Sequence, residues 1–507
     1  MRIIGNRGNT ARKVQAVASG ALASGDTVVV NSDGTVSVVG VTGPEITSAT
    51  VWLSATNWPL VQGAGGAVDT ANGKFILAYR HVENSNYGTC VVATISGTTL
   101  TFGTPVVFAS ATTTGVSCVY DVSTDRVVIV FKDNSNSGYG TAIIGAVNSS
   151  NNSISFGSET VFASETADGI YCRYDATNSK VAIMWAGGGS VIGRGIIGTV
   201  TASGNSISFG SATNVTGNSY TSTPTFDYIT DSGKFLTSFT DSGGILSFQV
   251  GTVSGSTLSF SSEAEFAFAS GGANNGSGQG SAAPQNFYAT YVGLNKFLVP
   301  YKKVGTGTDG SSQANRGAAV VVTVDPSNNS MSFGSEVIFE SAEINRVWGA
   351  AYDPIASKAV VIYNKSASPY IYYYAIVTVS GTTPSFATSV EYNQGSNSDY
   401  PRITFDSVNN QMIIPYSAGT TNGSYRVLKV QGTNLTSENY IGIASNGYAT
   451  GQAATINAKG FIDDNQSSLT AGQSYYVQTN GDLGLTAADP SVFAGTAVSA
   501  TKLIVKG

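Results

Sequence analysis

Aspartate is the residue type whose spacing in this chain could support chemistry. An aspartate is followed five residues later by a long polar residue and an apolar run in Asp69–Lys74, Asp121–Arg126, Asp175–Lys180, Asp353–Lys358 and Asp406–Gln411. Two carboxylates on opposite sides of a sugar can hydrolyse a glycosidic bond. An aspartate that opens a tight turn instead accepts hydrogen bonds from the backbone N–H groups of that turn. The recurrence favours the turn, because a catalytic residue occurs once in an enzyme and a turn residue occurs once in every repeat.

The other residues with chemical potential form weaker patterns. His81 is the single histidine, so any histidine-based nucleophile site would have to use it, and no nucleophile motif accompanies it. The loop Asp133–Gly138 has oxygen-bearing side chains at alternate positions but lacks the glutamate of a calcium loop. Cys90, Cys118 and Cys172 have neither disulfide nor metal spacing and are predicted to be small buried side chains. The sequence therefore predicts no catalytic residue, metal or cofactor, and no enzyme.

Composition and charge exclude two further classes of function. Charged residues make up 11% of the chain and the net charge is −6, with no basic cluster beyond Arg7, Arg12 and Lys13. Nucleic-acid binding through phosphate contacts is therefore not expected. No apolar run reaches the length of a membrane span, so membrane insertion is not expected either. The N-terminus also lacks an apolar segment of signal-peptide length.

The aspartates belong to a sequence repeat, and the fold of that repeat must determine their positions. A Ser/Thr-Phe or Pro-Ser-Phe step recurs roughly every 50 residues with one longer interval, at Phe102, Phe156, Phe209, Phe260, Phe333 and Phe386. Asp227–Lys234 is assigned to the aspartate set with a longer turn, and one copy around Lys296 lacks the aspartate, which gives seven copies. Each copy reads as four short strands separated by turns rich in Asn, Ser, Gly and Asp.

Four strands per repeat at this period predict an all-β chain containing a seven-bladed β-propeller. A solenoid is the alternative, but it needs capping units that this array lacks. We place the propeller at 44–435. The seventh copy lacks its usual fourth strand, and the strand-like stretch 47–62 can supply it and so close the ring. The flanks, 1–43 and 436–507, are predicted to be the N-terminal half and the C-terminal part of one small β docking module.

The repeat gives the propeller two different faces. The aspartate turns and the turns between third and fourth strands share one face, which we call the turn face. The opposite loop face carries the variable connections, including the insertions 270–285 and 304–316. Long loops on a rigid scaffold commonly bind ligands, and exposed aromatic rings can stack on sugars. The candidate receptor-binding residues are Trp185, Asn274, Asn275, Asp309, Asn315 and Tyr370.

The two flanks resemble each other. Both contain a hairpin signal between strand-like runs, Asp33-Gly34 in one and Asn480-Gly481 in the other. These dipeptides suit type I′ turns, in which both central residues have positive φ. Two similar hairpins at opposite ends favour one module built from both termini, and two separate modules stay an alternative.

The C-terminal segments 434–445, 463–485 and 490–507 resemble modules of virion structural proteins from tailed bacteriophages, both tail-fibre-like and capsid-decorating. Repeat segments such as 120–131 and 153–164 resemble repeats of large phage tail proteins. The resemblance covers most of the chain. It implies a virion protein that assembles in the host cytoplasm and needs no signal peptide.

Three functions follow as expectations from the repeat and the resemblance. The first is a tail-fibre-like adhesin whose propeller binds a host-surface receptor, and the second is a purely structural tail or capsid decoration protein. The third is a glycan-degrading enzyme. The expected partners are other virion proteins and, for the adhesin, a glycan or protein of the host surface. A homo-oligomer stays open, although no heptad pattern predicts a coiled coil.

Overall fold

The computed structural model describes residues 2–4, 13–54, 64–187, 192–215, 225–240, 246–266, 287–303, 315–365, 369–395, 400–418, 422–488 and 490–506. The described residues form strands, turns and bends, with no helix among them. The predicted all-β class is therefore confirmed. A search of the same residues for a helix long and apolar enough to cross a membrane found none.

The chain divides into two compact units. The smaller unit joins Met1–Glu45 to Gln431–Gly507, and the larger unit is Ile46–Val430. The strands before the repeats are β1 (Arg2–Ile4), β2 (Lys13–Val17), β3 (Thr27–Val30), β4 (Val36–Val38), β5 (Val41–Thr42), β6 (Glu45–Ile46) and β7 (Thr50–Ser54).

The larger unit is a succession of antiparallel strands. Its first three repeats contain β8 (Ala64–Asp69), β9 (Lys74–His81), β10 (Tyr87–Ser96), β11 (Thr99–Phe102), β12 (Val106–Asp121), β13 (Arg126–Asp133), β14 (Tyr139–Val147), β15 (Ile154–Phe156), β16 (Thr160–Asp175), β17 (Lys180–Gly187), β18 (Ile192–Thr201), β19 (Ser206–Phe209) and β20 (Thr213–Asn214). The next two contain β21 (Thr225–Ile229), β22 (Lys234–Thr240), β23 (Leu246–Ser254), β24 (Thr257–Phe260), β25 (Ala264–Glu265), β26 (Thr290–Tyr291), β27 (Lys296–Lys302), β28 (Arg316–Asp325) and β29 (Ser330–Phe333). The last two contain β30 (Val337–Asp353), β31 (Lys358–Lys365), β32 (Tyr370–Ser380), β33 (Thr383–Phe386), β34 (Val390–Gly395), β35 (Thr404–Asp406), β36 (Gln411–Ala418) and β37 (Asn422–Lys429).

Long strands link one repeat to the next. The first part of β12 pairs with β10 through Val106–Thr112, and its second part pairs with β13 through Thr113–Asp121. β16 and β30 do the same between their neighbours. Each long strand therefore ends one repeat and begins the following one.

The middle strands of the repeats are buried on both faces, which explains their continuous apolar runs. In β13 every residue of Val127–Phe131 is 0% exposed. Ile129 and Phe131 pack in one cluster with Ile76 and Val92 of the preceding repeat. Packing of successive repeats against each other thus supplies a core that no single four-stranded sheet could form.

The recurrent aspartates are turn formers, as the sequence predicted. Asp175 accepts the backbone N–H groups of Thr177 and Asn178, both at 3.0 Å, and the side-chain amide of Asn178 at 2.8 Å. Backbone N–H groups bind the equivalent carboxylates Asp69, Asp121, Asp353 and Asp406. These carboxylates are buried and satisfied largely by their own turns.

Asp227 does not belong to this set, which corrects the sequence assignment. Lys234 pairs with Ile229, whereas Asp227 pairs with Leu236 and lies two residues before the turn. The apolar Ile229 occupies the position that aspartate has elsewhere, so pattern matching selected the nearest acid instead. Asp227 is consequently available for a different role.

The long polar residue after each turn reaches the following repeat. The ammonium of Lys74 donates to Asn152 Oδ1 at 3.0 Å, and Arg126 Nε donates to Asn205 Oδ1 at 2.7 Å. Asn152 and Asn205 lie in the turns between the third and fourth strands of the next repeat. The two kinds of turn therefore lie on one face, and side chains tie neighbouring repeats together there.

The last repeat contacts the first in the same way. Gln411 Nε2 donates to the carbonyl oxygen of Gly97 at 2.8 Å, and Leu100 N donates to the hydroxyl of Tyr425 at 3.0 Å. Strand β7 pairs with β37, with Val51 opposite Ser424. The part of 47–62 that the structure describes thus supplies an outer strand to the last repeat.

The smaller unit contains strands from both ends of the chain. Its C-terminal strands are β38 (Gly432–Thr433), β39 (Tyr440–Ala444), β40 (Ala453–Asn457), β41 (Ile462–Asp463), β42 (Ser474–Val477), β43 (Leu483–Gly484), β44 (Val492–Ser499) and β45 (Lys502–Val505). One sheet has the order β1-β2-β40-β39-β3-β4, and a second has the order β41-β45-β44-β42-β43. Strands from the two termini therefore share one sheet.

The two hairpins of this unit differ from the predicted type I′ turns. Gly34 and Gly481 have φ of 82° and 93°, whereas Asp33 and Asn480 stay outside the left-handed region. Gly34 N donates to the carbonyl oxygen of Asn31 at 2.9 Å. This is the three-residue hairpin, in which a type I turn is followed by a left-handed glycine.

Candidate functional site

A cavity of about 960 Å³ runs between the first strands of the repeats in the larger unit. The described residues of β8, β12, β16, β21, β26, β30 and β35 all contribute to its lining. At the turn-face end the lining includes Thr70, Thr230 and Pro354, and at the other end it includes Lys132 and Arg402. A volume of this size can hold a ligand of several sugar rings.

Tyrosines line the turn-face end. They precede the turn position in successive first strands, at Tyr120, Tyr174, Tyr228, Tyr291 and Tyr352. The hydroxyl of Tyr228 donates to Asp175 Oδ1 at 3.1 Å in the preceding repeat. Burial raises the pKa of Tyr291 to about 12. The Tyr228 hydroxyl therefore ties its ring to the neighbouring turn.

An ion pair crosses the middle of the cavity lining. Arg173 Nε lies 2.7 Å from Asp227 Oδ1, and the other oxygen of Asp227 accepts the backbone N–H of Tyr291 at 3.0 Å. Burial lowers the pKa of Arg173, but the adjacent Asp227 carboxylate outweighs it, so the pKa is raised overall. Asp227 thus neutralises Arg173 and joins three successive repeats.

The lysine at the loop-face end is also compensated. Lys132 Nζ lies 2.7 Å from Asp168 Oδ1, and both residues line the cavity. Nearby in the third repeat, Arg194 pairs with Glu165 at 3.0 Å. The cations of this side of the loop face therefore have carboxylate partners.

Arg346 has no such partner. It is 8% exposed, its Nε is buried, and this nitrogen has no hydrogen-bond acceptor among the described residues. Its guanidinium lies over the ring of Trp348, 4.8 Å from the centroid. Burial lowers the pKa of Arg346, three nearby tyrosines oppose the effect, and the like charge of Arg402 adds to it. Two cationic side chains therefore lie close together here.

Arg402 and Arg80 complete a group that we call the arginine cluster, consisting of Arg80, Arg346 and Arg402. Arg402 lines the cavity, and its guanidinium donates a hydrogen bond to the carbonyl oxygen of Pro401 at 3.0 Å. Arg80 has a buried Nε without a partner there, and burial lowers its pKa. Tyr400 opposes the lowering of the pKa of both Arg80 and Arg346.

Aromatic side chains hold the arginine cluster in place. The indole N–H of Trp348 donates to Asn364 Oδ1 at 2.9 Å, which fixes the ring under Arg346. Tyr400 meets the same indole edge-on, with centroids 5.6 Å apart. Tyr400 has a φ of 43°, a left-handed backbone that is uncommon for a bulky residue and occurs often at functional sites.

Arg346 is costly for the folded protein. Its Nε is buried and has no hydrogen-bond acceptor among the described residues, and a buried charge without a partner destabilises the folded state.

The predicted receptor-binding residues have varied positions. Trp185 is a core residue rather than an exposed ring, because it is 1% exposed and packs edge-on against Phe162. Its indole N–H donates to Glu165 Oε1 at 3.1 Å. Strand alternation alone could not tell which face of β17 was buried.

Asn315 and Tyr370 are partly exposed at the loop-face ends of their strands. The amide of Asn315 donates to Glu343 Oε1 at 2.7 Å, and Tyr370 pairs through its backbone with Gly395. The remaining candidates, Asn274, Asn275 and Asp309, lie outside the described residues. The structure does not bring the described candidates together into one site.

The sequence analysis missed the arginine cluster. Its members come from the first, sixth and seventh repeats, and no short motif links them. One signal was present, because Arg346 and Arg402 begin first-strand segments that are otherwise apolar or aromatic.

The remaining residues with chemical potential are acids, cysteines and the histidine. Among the described residues no group of His, Cys, Asp and Glu could hold a metal ion. The three cysteines are free and buried, as predicted. Burial lowers the pKa of His81, which keeps its ring neutral near pH 7.

Comparison with known proteins gives structural likeness alone. The chain matches no protein-family model and no curated protein. It is similar to a periplasmic gluconolactonase from Pseudomonas aeruginosa, with 10% identity, a TM-score of 0.44 and coverage of 72% of this chain and 88% of that one. A putative 6-phosphogluconolactonase from Bacteroides uniformis shows 11% identity, a TM-score of 0.46 and coverage of 67% and 88%. A protein from Lactobacillus plantarum shows 11% identity, a TM-score of 0.41 and coverage of 64% and 83%.

These matches correct one expectation from the sequence. The chain was predicted not to be an enzyme, and two of the similar structures bear the names of lactonases. The prediction that the chain has no enzymatic activity is therefore withdrawn. At this level of identity the likeness concerns the fold and identifies no substrate.

Proposed function

We propose that the larger unit is a closed seven-bladed β-propeller and that it binds a glycan at the loop-face end of its central cavity. The seven-fold repeat of first strands around one cavity supports the blade count. The bond from Gln411 to Gly97 and the pairing of β7 with β37 support closure, because they join the last repeat to the first. Closure also removes the open sheet edges that would favour aggregation.

The observation that carries the binding proposal is the cavity itself, with Arg402 and Tyr288 in its lining. Both side chains are partly exposed, so a cationic and an aromatic group face the same space. Rings that are fixed by packing stack on sugar faces at low entropic cost. A large cavity with a few convergent polar groups is the usual form of a ligand site.

In this proposal the protein is a tail-fibre-like adhesin of a tailed-phage virion. The resemblance of the terminal segments and repeats to virion proteins supports that location. The smaller unit docks to other virion proteins, and the larger unit carries the receptor site. A purely structural role in the tail or capsid is the main alternative within the virion.

The experiment is a competition for adsorption. Purified full-length protein is added to host bacteria before the phage particles, and the remaining free particles are counted. An adhesin should reduce adsorption in proportion to its concentration, because it occupies the receptors. Adsorption that is unchanged at saturating protein, with labelled protein absent from the cells, would contradict the adhesin and favour the structural role.

The acids of the cavity favour a second candidate, an enzyme that acts on a bound glycan. Asp168 and Asp227 both line the cavity, and each has one cationic partner. Release of reducing ends from host polysaccharide by the full-length protein would support this candidate. Loss of that release in Asp227→Asn, with ligand binding kept, would assign the reaction to the cavity.

A further inference from the structure

The smaller unit contains the same five-stranded sheet twice. The mixed sheet, which joins strands from both termini, has the order β2-β40-β39-β3-β4 next to its edge strand β1, and the C-terminal sheet has the order β41-β45-β44-β42-β43. The residue pairing agrees as well, because Tyr440 pairs with Val29 beside a register shift, and Phe493 pairs with Tyr476 beside the equivalent shift. The smaller unit is therefore an internal duplication, and the larger unit is inserted into the mixed sheet between β4 and β39.

One face of the mixed sheet is covered by the C-terminal sheet. On this face Val29, Tyr440 and Ile443 are at most 8% exposed. They belong to one core cluster with Tyr475 and Val477 of the C-terminal sheet. The chain itself therefore shows how one of these sheets binds the other.

Polar groups fix the contact between the two sheets. The hydroxyl of Thr27, in the mixed sheet, donates to the carbonyl oxygen of Gly481 at 2.7 Å. Gln466 Nε2 donates in return to the carbonyl oxygen of Gly25 at 3.1 Å. The backbones also meet closely, because a Cβ at Gly25 would lie 2.6 Å from the carbonyl oxygen of Asn465. The contact is heterologous, since a face of the mixed sheet meets the hairpin end of the C-terminal sheet.

The corresponding face of the C-terminal sheet is open. We call it the aromatic face, and it consists of Tyr476, Phe493 and Thr496, which occupy the three positions that are buried in the mixed sheet and are all partly exposed. The rings of Tyr476 and Phe493 lie together, with centroids 5.6 Å apart. Gly472 corresponds to Gly25, and no atom of the described residues lies within 4 Å of its Cβ position.

The other half of the contact is open on the mixed sheet. Gly34 corresponds to Gly481 in the same three-residue hairpin, with φ of 82° and 93°. A Cβ at Gly481 would collide with the carbonyl oxygen of Val39, whereas a Cβ at Gly34 would meet nothing within 4 Å in the part of the chain that the structure describes. We infer that the smaller unit binds a second copy of this chain, with the aromatic face of one chain against the Gly34 hairpin of the next.

Charge favours this head-to-tail contact over two aromatic faces that meet. Lys506 is exposed, and its ammonium lies over the Phe493 ring, 5.9 Å from the centroid. Asp33 is exposed beside Gly34, and the hydroxyl of Thr35 lowers the pKa of its carboxyl. The head-to-tail contact therefore brings opposite charges together, whereas two aromatic faces would bring two lysines together. Such a contact closes into a ring or continues as a filament.

The test is the molar mass of the full-length protein in solution, measured by light scattering over a range of concentrations. The mass should rise above that of one chain as the concentration increases. Tyr476→Thr should raise the Kd of association at least tenfold, because it removes a ring from the aromatic face and keeps a residue that favours strands. Circular dichroism verifies that the variant folds.

Tyr139→Thr is the matched control, because it makes the same change at a partly exposed strand residue of the larger unit. Its association should equal that of the wild type. Equal loss of association in both variants would show that the aromatic face is not the determinant and would overturn the inference.

Gly34→Asn tests the other half of the contact. Asparagine tolerates a left-handed backbone, so the hairpin should persist while the added side chain obstructs the approach of the next chain. Gly255→Asn is its control in the larger unit, where φ is 62° and no described atom lies within 4 Å of the Cβ position. Association should weaken at least tenfold in Gly34→Asn alone.

The remaining outcomes also decide the inference. A monomer at every concentration, or unchanged association in Tyr476→Thr, would overturn it. Association that is lost in Tyr476→Thr and kept in Gly34→Asn would overturn the head-to-tail contact, because two aromatic faces would then meet. None of these outcomes depends on glycan binding by the larger unit, so the two proposals can fail separately.

Discussion

Gln411 donates a hydrogen bond from its side-chain amide to the carbonyl oxygen of Gly97 at 2.8 Å, although the two residues are far apart in the chain. Gln411 is 0% exposed and begins the second strand of the last repeat, whereas Gly97 lies in a turn of the first. Lys74 and Arg126 make the equivalent contacts between earlier neighbours. One repeated side-chain position therefore joins successive repeats and also joins the end of the array to its beginning.

Gln411→Ala should lower the free energy of unfolding by about 1–2 kcal/mol, because it removes this bond and a second bond from Gln411 to Asp406. Lys358→Ala is the control at the equivalent position of the sixth repeat, where the ammonium binds Thr378 of its own repeat and is exposed. Its effect should stay below about 0.5 kcal/mol. Urea unfolding of both variants measures the difference, and equal effects would argue against a closing contact.

Gly157→Ala should destabilise the larger unit by about 1–3 kcal/mol, because an added methyl group overpacks the contact. A Cβ at this position would lie 2.0 Å from the carbonyl oxygen of Asn205 in the next repeat. Gly43→Ala is the control, since nothing lies within 4 Å of its Cβ position. Scanning calorimetry should show a lower Tm for the first variant alone. An unchanged Tm in Gly157→Ala would mean that successive repeats are not packed this closely.

Arg346→Met should raise the stability of the ligand-free protein by about 1 kcal/mol or more, because it replaces an unpaired buried charge with an apolar chain of similar length. Arg173→Met provides the contrast, because it leaves Asp227 unpaired and should destabilise the protein. Thermal unfolding without ligand compares the two. A destabilised Arg346→Met would show that Arg346 has a structural partner.

The free energy of unfolding at alkaline pH should depend on the buried thiol of Cys172. Burial raises the pKa of this thiol from 9.0 to about 11, and the hydrogen bond to Ser117 opposes the shift. The folded state thus keeps its proton where the unfolded state releases it. Stability from this group is fully present below about pH 9 and is lost as the pH rises towards 11. Cys172→Ala should flatten the pH dependence of urea unfolding in that window, and an unaltered slope would exclude Cys172 as its source.

The sequence predicted the periodic parts of the structure and missed the parts without a period. The aspartate turns and the Phe steps recur, so their spacing alone located the repeats and their turn face. Asp227 was misassigned because Ile229 replaces the marker and no local signal reveals the strand register. The arginine cluster escaped for a different reason. Arg346 and Arg402 belong to the sixth and seventh repeats, and only the tertiary structure brings them near each other.

The sequence was equally unable to predict which aromatic side chains are exposed. Trp185 is among the residues predicted to bind a receptor, yet its ring is buried. Trp348 lines the cavity but is 0% exposed, so it too belongs to the core. Alternation along a strand assigns residues to two faces, but it does not tell which face borders a cavity. That distinction depends on how neighbouring repeats pack.

The central claim is that the cavity of the larger unit binds a glycan, and a glycan array with full-length protein tests it most directly. The wild type and Lys358→Gln, which changes a turn-face residue, should bind the same glycans, and Arg402→Gln, which changes a residue of the cavity lining, should lose those signals. No glycan bound by the wild type, or the same glycans bound equally by Arg402→Gln, would contradict the account.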